Sequence, residues 1–163
     1  MKELMRIEGL KMYFGGLKAI DGLDLTINEG ETLGIIGPNG AGKTTLFNAI
    51  CGVYKPTDGK VILKGQEVQG LPAHKMARMG IARTFQISKP LADLTILDNV
   101  IAAAGVHEYT GMRSYFRKSH TKEVVDKAEA VLTETGLIML RDKKASDVSL
   151  GYLRRLEIAR VLV

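Results

Sequence analysis

Apolar and polar positions trade places at short range through the first thirty residues. Arg6, Glu8 and Lys11 interrupt apolar Ile7 and Leu10, and Leu23, Leu25 and Ile27 alternate with Asp24 and Thr26. A period of two predicts short strands, closed by a turn at Asn28-Glu29-Gly30. The next run, Thr32-Leu33-Gly34-Ile35-Ile36, is almost wholly apolar. It predicts a strand covered on both faces, as in a parallel sheet. From Lys43 to Ile50 the period lengthens to that of a helix, with Gly52 as its left-handed stop. Val61-Ile62-Leu63, Lys64-Gly65-Gln66 and Glu67-Val68 predict a hairpin. Pro72 suits the first turn of a short helix ending near Gly80, and Ile81 to Phe85 is a further strand candidate.

The second half is helical in pattern. Asp93 to Ala104 predicts a helix, with Thr95 as N-cap and Asp98 three residues on. Residues 105–120 are irregular and rich in basic and aromatic types. Thr121 to Thr135 predicts a helix with Val124, Ala128, Val131 and Leu132 on one face and Gly136 after its end. Leu153, Leu156, Ala159 and Leu162 mark a last helix by their spacing.

Composition narrows the class. A chain of 163 residues with 45% hydrophobic and 25% charged content is globular and long enough for one ordinary domain. Cys51 is the single cysteine, which excludes an intrachain disulfide and a multi-cysteine metal site. No apolar run reaches the roughly 18 residues of a membrane span, and Met1-Lys2-Glu3 leads into no apolar signal segment. A cytoplasmic protein, free or docked on a membrane partner, is expected. The net charge of +5 suits an anionic ligand, nucleic acid or an acidic membrane face without choosing among them.

The candidate chemistry sits between the predicted apolar strand and the first helix. Gly37-Pro38-Asn39-Gly40-Ala41-Gly42-Lys43-Thr44 matches G-x-x-x-x-G-K-[ST]. Glycines let a backbone curl so that successive N–H groups point at phosphate oxygens, and the helix adds its positive end. Lys43 would reach the β- and γ-phosphates, the Thr44 hydroxyl would ligate Mg²⁺, and Thr45 would be the adjacent phosphate donor. Nucleotide binding is the expectation.

Four other features bear on the kind of nucleotide protein. Phe14, followed by Gly15-Gly16, offers a ring to stack on a base. Its neighbour Tyr13 is a rival, since adjacent strand residues face opposite ways and one alone can point at the base. Gln86, closing Arg83-Thr84-Phe85-Gln86, carries an amide able to offer oxygen to Mg²⁺ and NH₂ to a water. Val148-Ser149-Leu150-Gly151-Tyr152 stands directly before the last helix, so that Ser149, Gly151 and a helix N-terminus form a second anion site. Arg154-Arg155-Leu156-Glu157-Ile158-Ala159-Arg160 makes that helix. One nucleotide fills two phosphate sites so far apart in sequence only if the fold or a partner brings them together.

With these motifs in this order, the whole chain resembles the ATP-binding subunit of an ABC transporter. Phe14 matches the adenine-stacking aromatic, Gly37 to Thr45 the Walker A loop, Gln86 the Q-loop, and Ser149 and Gly151 the L-S-G-G-Q signature. Arg83 to Gln86, Leu94 to Val100 and Arg154 to Arg160 look most like the branched-chain amino acid importers, with the urea importers close by. The resemblance implies an α/β P-loop NTPase core, here partial, with an N-terminal antiparallel β-subdomain and an α-helical signature subdomain. The β-subdomain and P-loop core would occupy 1–86 and the helical subdomain 87–163. It implies ATP and Mg²⁺ as ligands, with Lys43 and Gln86 in catalytic positions. It further implies a second ATP-binding subunit whose nucleotide faces Ser149 and Gly151 in trans, and transmembrane permease subunits. The chain would then lie on the inner face of the cell membrane.

The resemblance is imperfect in two places. The signature has Val148, Leu150 and Tyr152 where the family has leucine, glycine and glutamine. The family also continues past the signature helix with a Walker B aspartate, a catalytic glutamate and a switch histidine, none of which is found in this sequence. Leu137 to Asp142 mimics Walker B but precedes the signature, and is expected to be a segment following a helix. His74, His107 and His120 likewise precede it. A truncated chain that binds nucleotide weakly and hydrolyses little is therefore expected. The basic-aromatic stretch Arg113, Tyr115, Phe116, Arg117, Lys118, His120 and Lys122 favours a solvated insertion, a lipid or a protein partner over nucleic acid. A small P-loop kinase and an ABC ATPase not coupled to transport are the rival readings.

Overall fold

The computed structural model describes residues 2–84, 90–108 and 122–163. Gln86 and all of the basic-aromatic stretch except Lys122 lie outside them. The chain divides into two compact units, Met1–Ala82 and Arg83–Val163.

The first unit is a four-stranded antiparallel sheet in the order β2-β1-β3-β4, packed on helices. Strands β1 (Glu3–Phe14) and β2 (Leu17–Asn28) form one long hairpin rather than several short strands. Strand β3 (Asp58–Leu63) pairs with the other side of β1, so β1 is an inner strand and β2 and β4 (Gln66–Glu67) are the edges. The β3–β4 turn has Lys64 at φ 49° and Gly65 at φ 78°. Positive φ at both central residues matches the twist of paired strands, which is why this two-residue link closes a hairpin. Ile7, Leu10 and Met12 of β1 and Val61 and Leu63 of β3 form the core with Leu46, Ala49 and Ile50 of α1 (Lys43–Ile50) and Met76 of α2 (Ala73–Arg78). The even spacing of Leu23, Leu25 and Ile27 turns them toward the same core as partly buried residues.

Two expected strands are absent among the described residues. Residues 32–36 form no strand: Ile36 is 98% exposed and Leu33 39%, and Ile35 alone packs against the core. A strand exists only as part of a ladder, and none of the described strands pairs with this run. Residues 81–84 are also irregular. Here Ile81 is committed elsewhere: its N–H donates to Met76 O (3.1 Å) and the Gly80 N–H to Ala77 O (2.9 Å), closing α2 with Gly80 at φ 92°. This is a Schellman closure, with Ile81 and Met76 packed in the same core.

Among its described residues the second unit packs three α-helices, α3 (Ile96–Glu108), α4 (Lys122–Glu134) and α5 (Leu150–Leu162). Ile96, Val100, Val124, Ala128, Leu132, Leu156 and Ala159 fill its interior. Thr95 caps α3 as expected, its hydroxyl oxygen accepting the Asp98 N–H (3.0 Å) while the hydroxyl donates to the Asp98 carboxylate (2.7 Å). Helix α4 ends on the same closure as α2, the Leu137 N–H reaching Leu132 O at 2.7 Å. The Walker B look-alike is no strand: Ile138–Leu140 is a single 3₁₀ turn with Met139 90% exposed, and Arg141 is ion-paired with Glu129 of α4. On α5 the expected apolar face is met by Leu156 and Ala159, whereas Leu162 is more than half exposed.

Two stretches distant in sequence are stitched together in this unit. Ile96 N–H donates to Lys143 O (2.9 Å), Leu97 N–H to Arg141 O (3.0 Å), Ala145 N–H to Leu94 O (3.0 Å) and Ser146 N–H to Ala92 O (3.1 Å). The segment entering α3 is thereby joined to the one that leads to Ser149.

Candidate functional site

The loop 37–42 is set by its glycines. Gly42 has φ 81°, a conformation that costs an L-residue about 1–2 kcal/mol. A Cβ there would stand 2.5 Å from Ala19 O of β2. Only glycine fits, and its bend delivers the chain straight into α1 at Lys43. Gly40 (φ 87°) has the same need for a left-handed turn but faces open space. We therefore expect Gly42→Ala to destabilise the first unit by about 2 kcal/mol or more and Gly40→Ala by about 1 kcal/mol. Urea melts of the two variants check the ranking.

Lys43 is half-buried, and its Nζ donates to Gly37 O (2.6 Å) and Pro38 O (2.7 Å). The ammonium thus lies over the start of the loop that its own helix follows. Thr44 is exposed and Thr45 half-buried in the first turn of α1, beside amides that an α-helix cannot satisfy internally. No acidic residue stands in that turn. Pro38, Asn39 and Ala41 are exposed, and the Ala41 N–H donates to Pro38 O (3.2 Å). The arrangement has what an oligo-anion requires: a cation, first-turn N–H groups, hydroxyls and no repelling carboxylate.

Tyr13 and Phe14 differ in their partners. The Tyr13 hydroxyl donates to the Asp21 carboxylate, and Lys18 Nζ both donates to Asp21 (3.1 Å) and sits 5.4 Å from the Tyr13 ring centre. The hydrogen bond from Tyr13, and then that from Lys18, hold the Asp21 carboxyl below the usual carboxylate range, and the bond to Asp21 raises the Tyr13 phenol. Phe14 has no such commitment. It is 45% exposed and meets Tyr54 edge to face, ring centres 5.4 Å apart at 77°. Tyr54 was not a candidate on sequence grounds, because nothing local marks a contact between residues so far apart in the chain.

In the second unit, Ser149 occupies the N-cap position of α5, and its carbonyl accepts the Tyr152 and Leu153 N–H groups at 3.0 and 3.1 Å. Its hydroxyl makes no capping bond, and Ser149 and Gly151 are both exposed. Tyr152, standing where the family signature has glutamine, lies under the Arg155 guanidinium at 5.8 Å. Asn99, within the run Leu94 to Val100, is a fully buried side chain with four backbone contacts, a role that the resemblance does not assign. Its position on the apolar stripe with Ile96 and Val100 was the available signal.

Compared with known families, residues 20–163 match the ABC transporter model. The chain belongs to the ABC transporter family. LivG of Escherichia coli strain K12, a high-affinity branched-chain amino acid transport ATP-binding protein, is 40% identical over 98% of the chain and 65% of its own length. BraF of Pseudomonas aeruginosa is 39% identical over 99% of the chain and 66% of its own length. The ABC transporter chain thus spans a little under two thirds of the curated relatives it matches. Among solved structures, the ADP conformation of the ATP-binding cassette MJ1267 superposes with a TM-score of 0.85 at 35% identity, covering 99% of this chain and 65% of that one. The dimeric structure of the bacterial ABC transporter cassette MJ0796 gives 0.77 at 26% identity, covering 98% and 69%. The fold is the α/β P-loop NTPase type of these ABC cassettes, a nucleotide-binding family. Among the described residues no helix is long and apolar enough to cross a membrane.

Proposed function

We propose that this chain is the ATP-binding part of an importer of branched-chain amino acids. The observation that carries the reading is the bend at Gly42, wedged against β2, which sets Lys43 and the first turn of α1 over an exposed glycine loop. The identity to LivG and BraF supports the substrate class. In this reading Gly37 to Thr45 cradle the triphosphate, Lys43 neutralises its β- and γ-oxygens, and Phe14 lies against the adenine. Ser149 and Gly151 serve the nucleotide of a second ATP-binding subunit, in line with the dimeric state of MJ0796. Residues 1–86 act as the nucleotide-binding subdomain and 87–163 as the signature subdomain. Transmembrane permease subunits hold the protein on the inner face of the cell membrane.

Mg²⁺ fits the donor set. It keeps several waters and takes few protein ligands beside substrate phosphates, so the exposed Thr44 hydroxyl suffices in the first unit, with Gln86 as the second protein oxygen. Among the described residues no three acidic, His or Cys side chains gather, as a dedicated protein cage would need. When bound, the ion would spread the charge on the phosphate oxygens. Lys43 and the α1 amides orient the tail for it.

Calorimetric titration with Mg-ATP tests the reading, with a saturable one-site heat as the expected result. No heat from folded protein overturns it. Uptake of labelled leucine against labelled urea, in vesicles carrying the chain with its permease subunits, tests the substrate.

A further inference from the structure

We infer that Tyr54 is a positioning residue of the base platform, holding Phe14 through a perpendicular ring contact so that the ring keeps one attitude toward a nucleobase. The inference rests on the nucleotide reading above and extends it to a residue that no motif marks.

Both rings are fastened to the phosphate cradle within the first unit. Phe14 ends β1 and pairs with Leu17 at the start of β2. Ala19 and Ile20, a step further along β2, are the residues that Gly42 rests on. Tyr54 is fastened from the other side. Its N–H donates to Asn48 O (3.1 Å), the same carbonyl that takes the Val53 N–H (2.9 Å), and Asn48 belongs to the helix that starts at Lys43. Gly52 makes this hook at φ 71°, where a Cβ would collide with the Leu71 carbonyl. One helix therefore carries the cradle at its start and Tyr54 just past its end.

A phenylalanine at a strand end, 45% exposed, is free to change rotamer unless something packs against it. The perpendicular contact at 5.4 Å is the favoured geometry of an aromatic pair. It fixes the ring while each partner stays about two fifths exposed. The Tyr54 hydroxyl has no hydrogen-bond partner among the described residues, so the ring is the part that acts. Tyr13 is unsuited to this task, being held by Asp21 and Lys18.

The test is calorimetry on the 163-residue chain with two probes, Mg-ATP and inorganic tripolyphosphate. Tyr54→Ala is expected to weaken ATP on the order of three- to tenfold and to leave tripolyphosphate unchanged. Tyr54→Phe should restore ATP binding, and Phe14→Ala/Tyr54→Ala should lose little beyond Phe14→Ala. Tyr54→Leu, which keeps apolar volume without a ring, guards against misfolding and should behave as the alanine variant. Equal loss for both probes, unchanged ATP affinity, failure of Tyr54→Phe to restore, or additive losses would each overturn the inference. Wild-type protein that binds neither probe would instead overturn the nucleotide reading itself.

Discussion

Replacing Lys43 by alanine is expected to lower the affinity for Mg-ATP by roughly 10- to 100-fold while leaving the melting temperature almost unchanged. The two halves of this expectation have different causes. Hydrogen bonds to charged groups contribute about 1.5–3 kcal/mol, and a triphosphate tail offers Lys43 anionic oxygens on two adjacent phosphates. Its present partners are the neutral carbonyls of Gly37 and Pro38 in an exposed loop. Such bonds exchange readily for water, so their loss costs about 1 kcal/mol or less. Lys43→Met keeps much of the stem and removes the charge, and should bind as poorly as the alanine variant. Lys43→Arg keeps the charge but presents a planar fork where a point charge fits between two carbonyls and a phosphate, and should restore only part of the affinity. Calorimetry with Mg-ATP and with tripolyphosphate reads both. Undiminished affinity in Lys43→Met would show that the phosphates are held by some other group.

The largest expected effect on stability belongs to Asn99→Leu. Asn99 is fully buried in α3. Its Oδ1 accepts the Leu91 N–H (2.9 Å), and its Nδ2 donates to Leu91 O (3.0 Å) and Thr95 O (2.9 Å), with Leu94 O at 3.4 Å. Two N–H bonds serve three carbonyls, so the longest contact is a shared one. Leucine keeps the branched skeleton but is bulkier, so in this fully buried position overpacking, at about 1–3 kcal/mol, adds to the lost hydrogen bonds. Leu91 is 44% exposed, so water takes over part of its lost pairing and stranding it costs about 1–2 kcal/mol, for about 3 kcal/mol with the overpacking. For a unit of this size the melting temperature should fall on the order of 10 °C. Asn99→Asp keeps the acceptor but loses both donors and places a charge where no water reaches, so it should do at least as badly. Hydrogen exchange gives the local signature. The amides of Ala145 and Ser146, which bond to Leu94 O and Ala92 O, should exchange faster, while those in the middle of α4 keep their protection. A melting temperature within about 2 °C of wild type would show that residues 91–95 are held without the asparagine.

Much of this architecture was legible because its signals are local. The span of α1 follows from the residues after the glycine loop and from Gly52, and the structure starts and stops the helix there. Lys64-Gly65 marks the β3–β4 turn, and Gly136 the end of α4. What escaped was set by distant partners. The apolar content of 32–36 states a wish for burial, not the neighbour that would grant it, and the described strands offer none. Ile81 looks like the start of a strand until its amide is found closing α2. In the candidate site the glycine loop and Lys43 were readable from spacing alone. The difference between Tyr13 and Phe14 was not, because it depends on Asp21 and Lys18 across the hairpin. Tyr54 carried no local mark at all. Gln86 lies outside the described residues.

The stitching of 92–97 to 141–146 makes a noose of everything between, drawn tight at its neck by four backbone bonds. Closing a flexible loop costs free energy that rises only with the logarithm of its length, about 0.6 kcal/mol for each doubling. The stretch joining α3 to α4 can therefore grow or shrink by many residues while the neck, and with it the path into Ser149, stays where it is. Changes of length there leave the segment that carries Ser149 on its four backbone anchors.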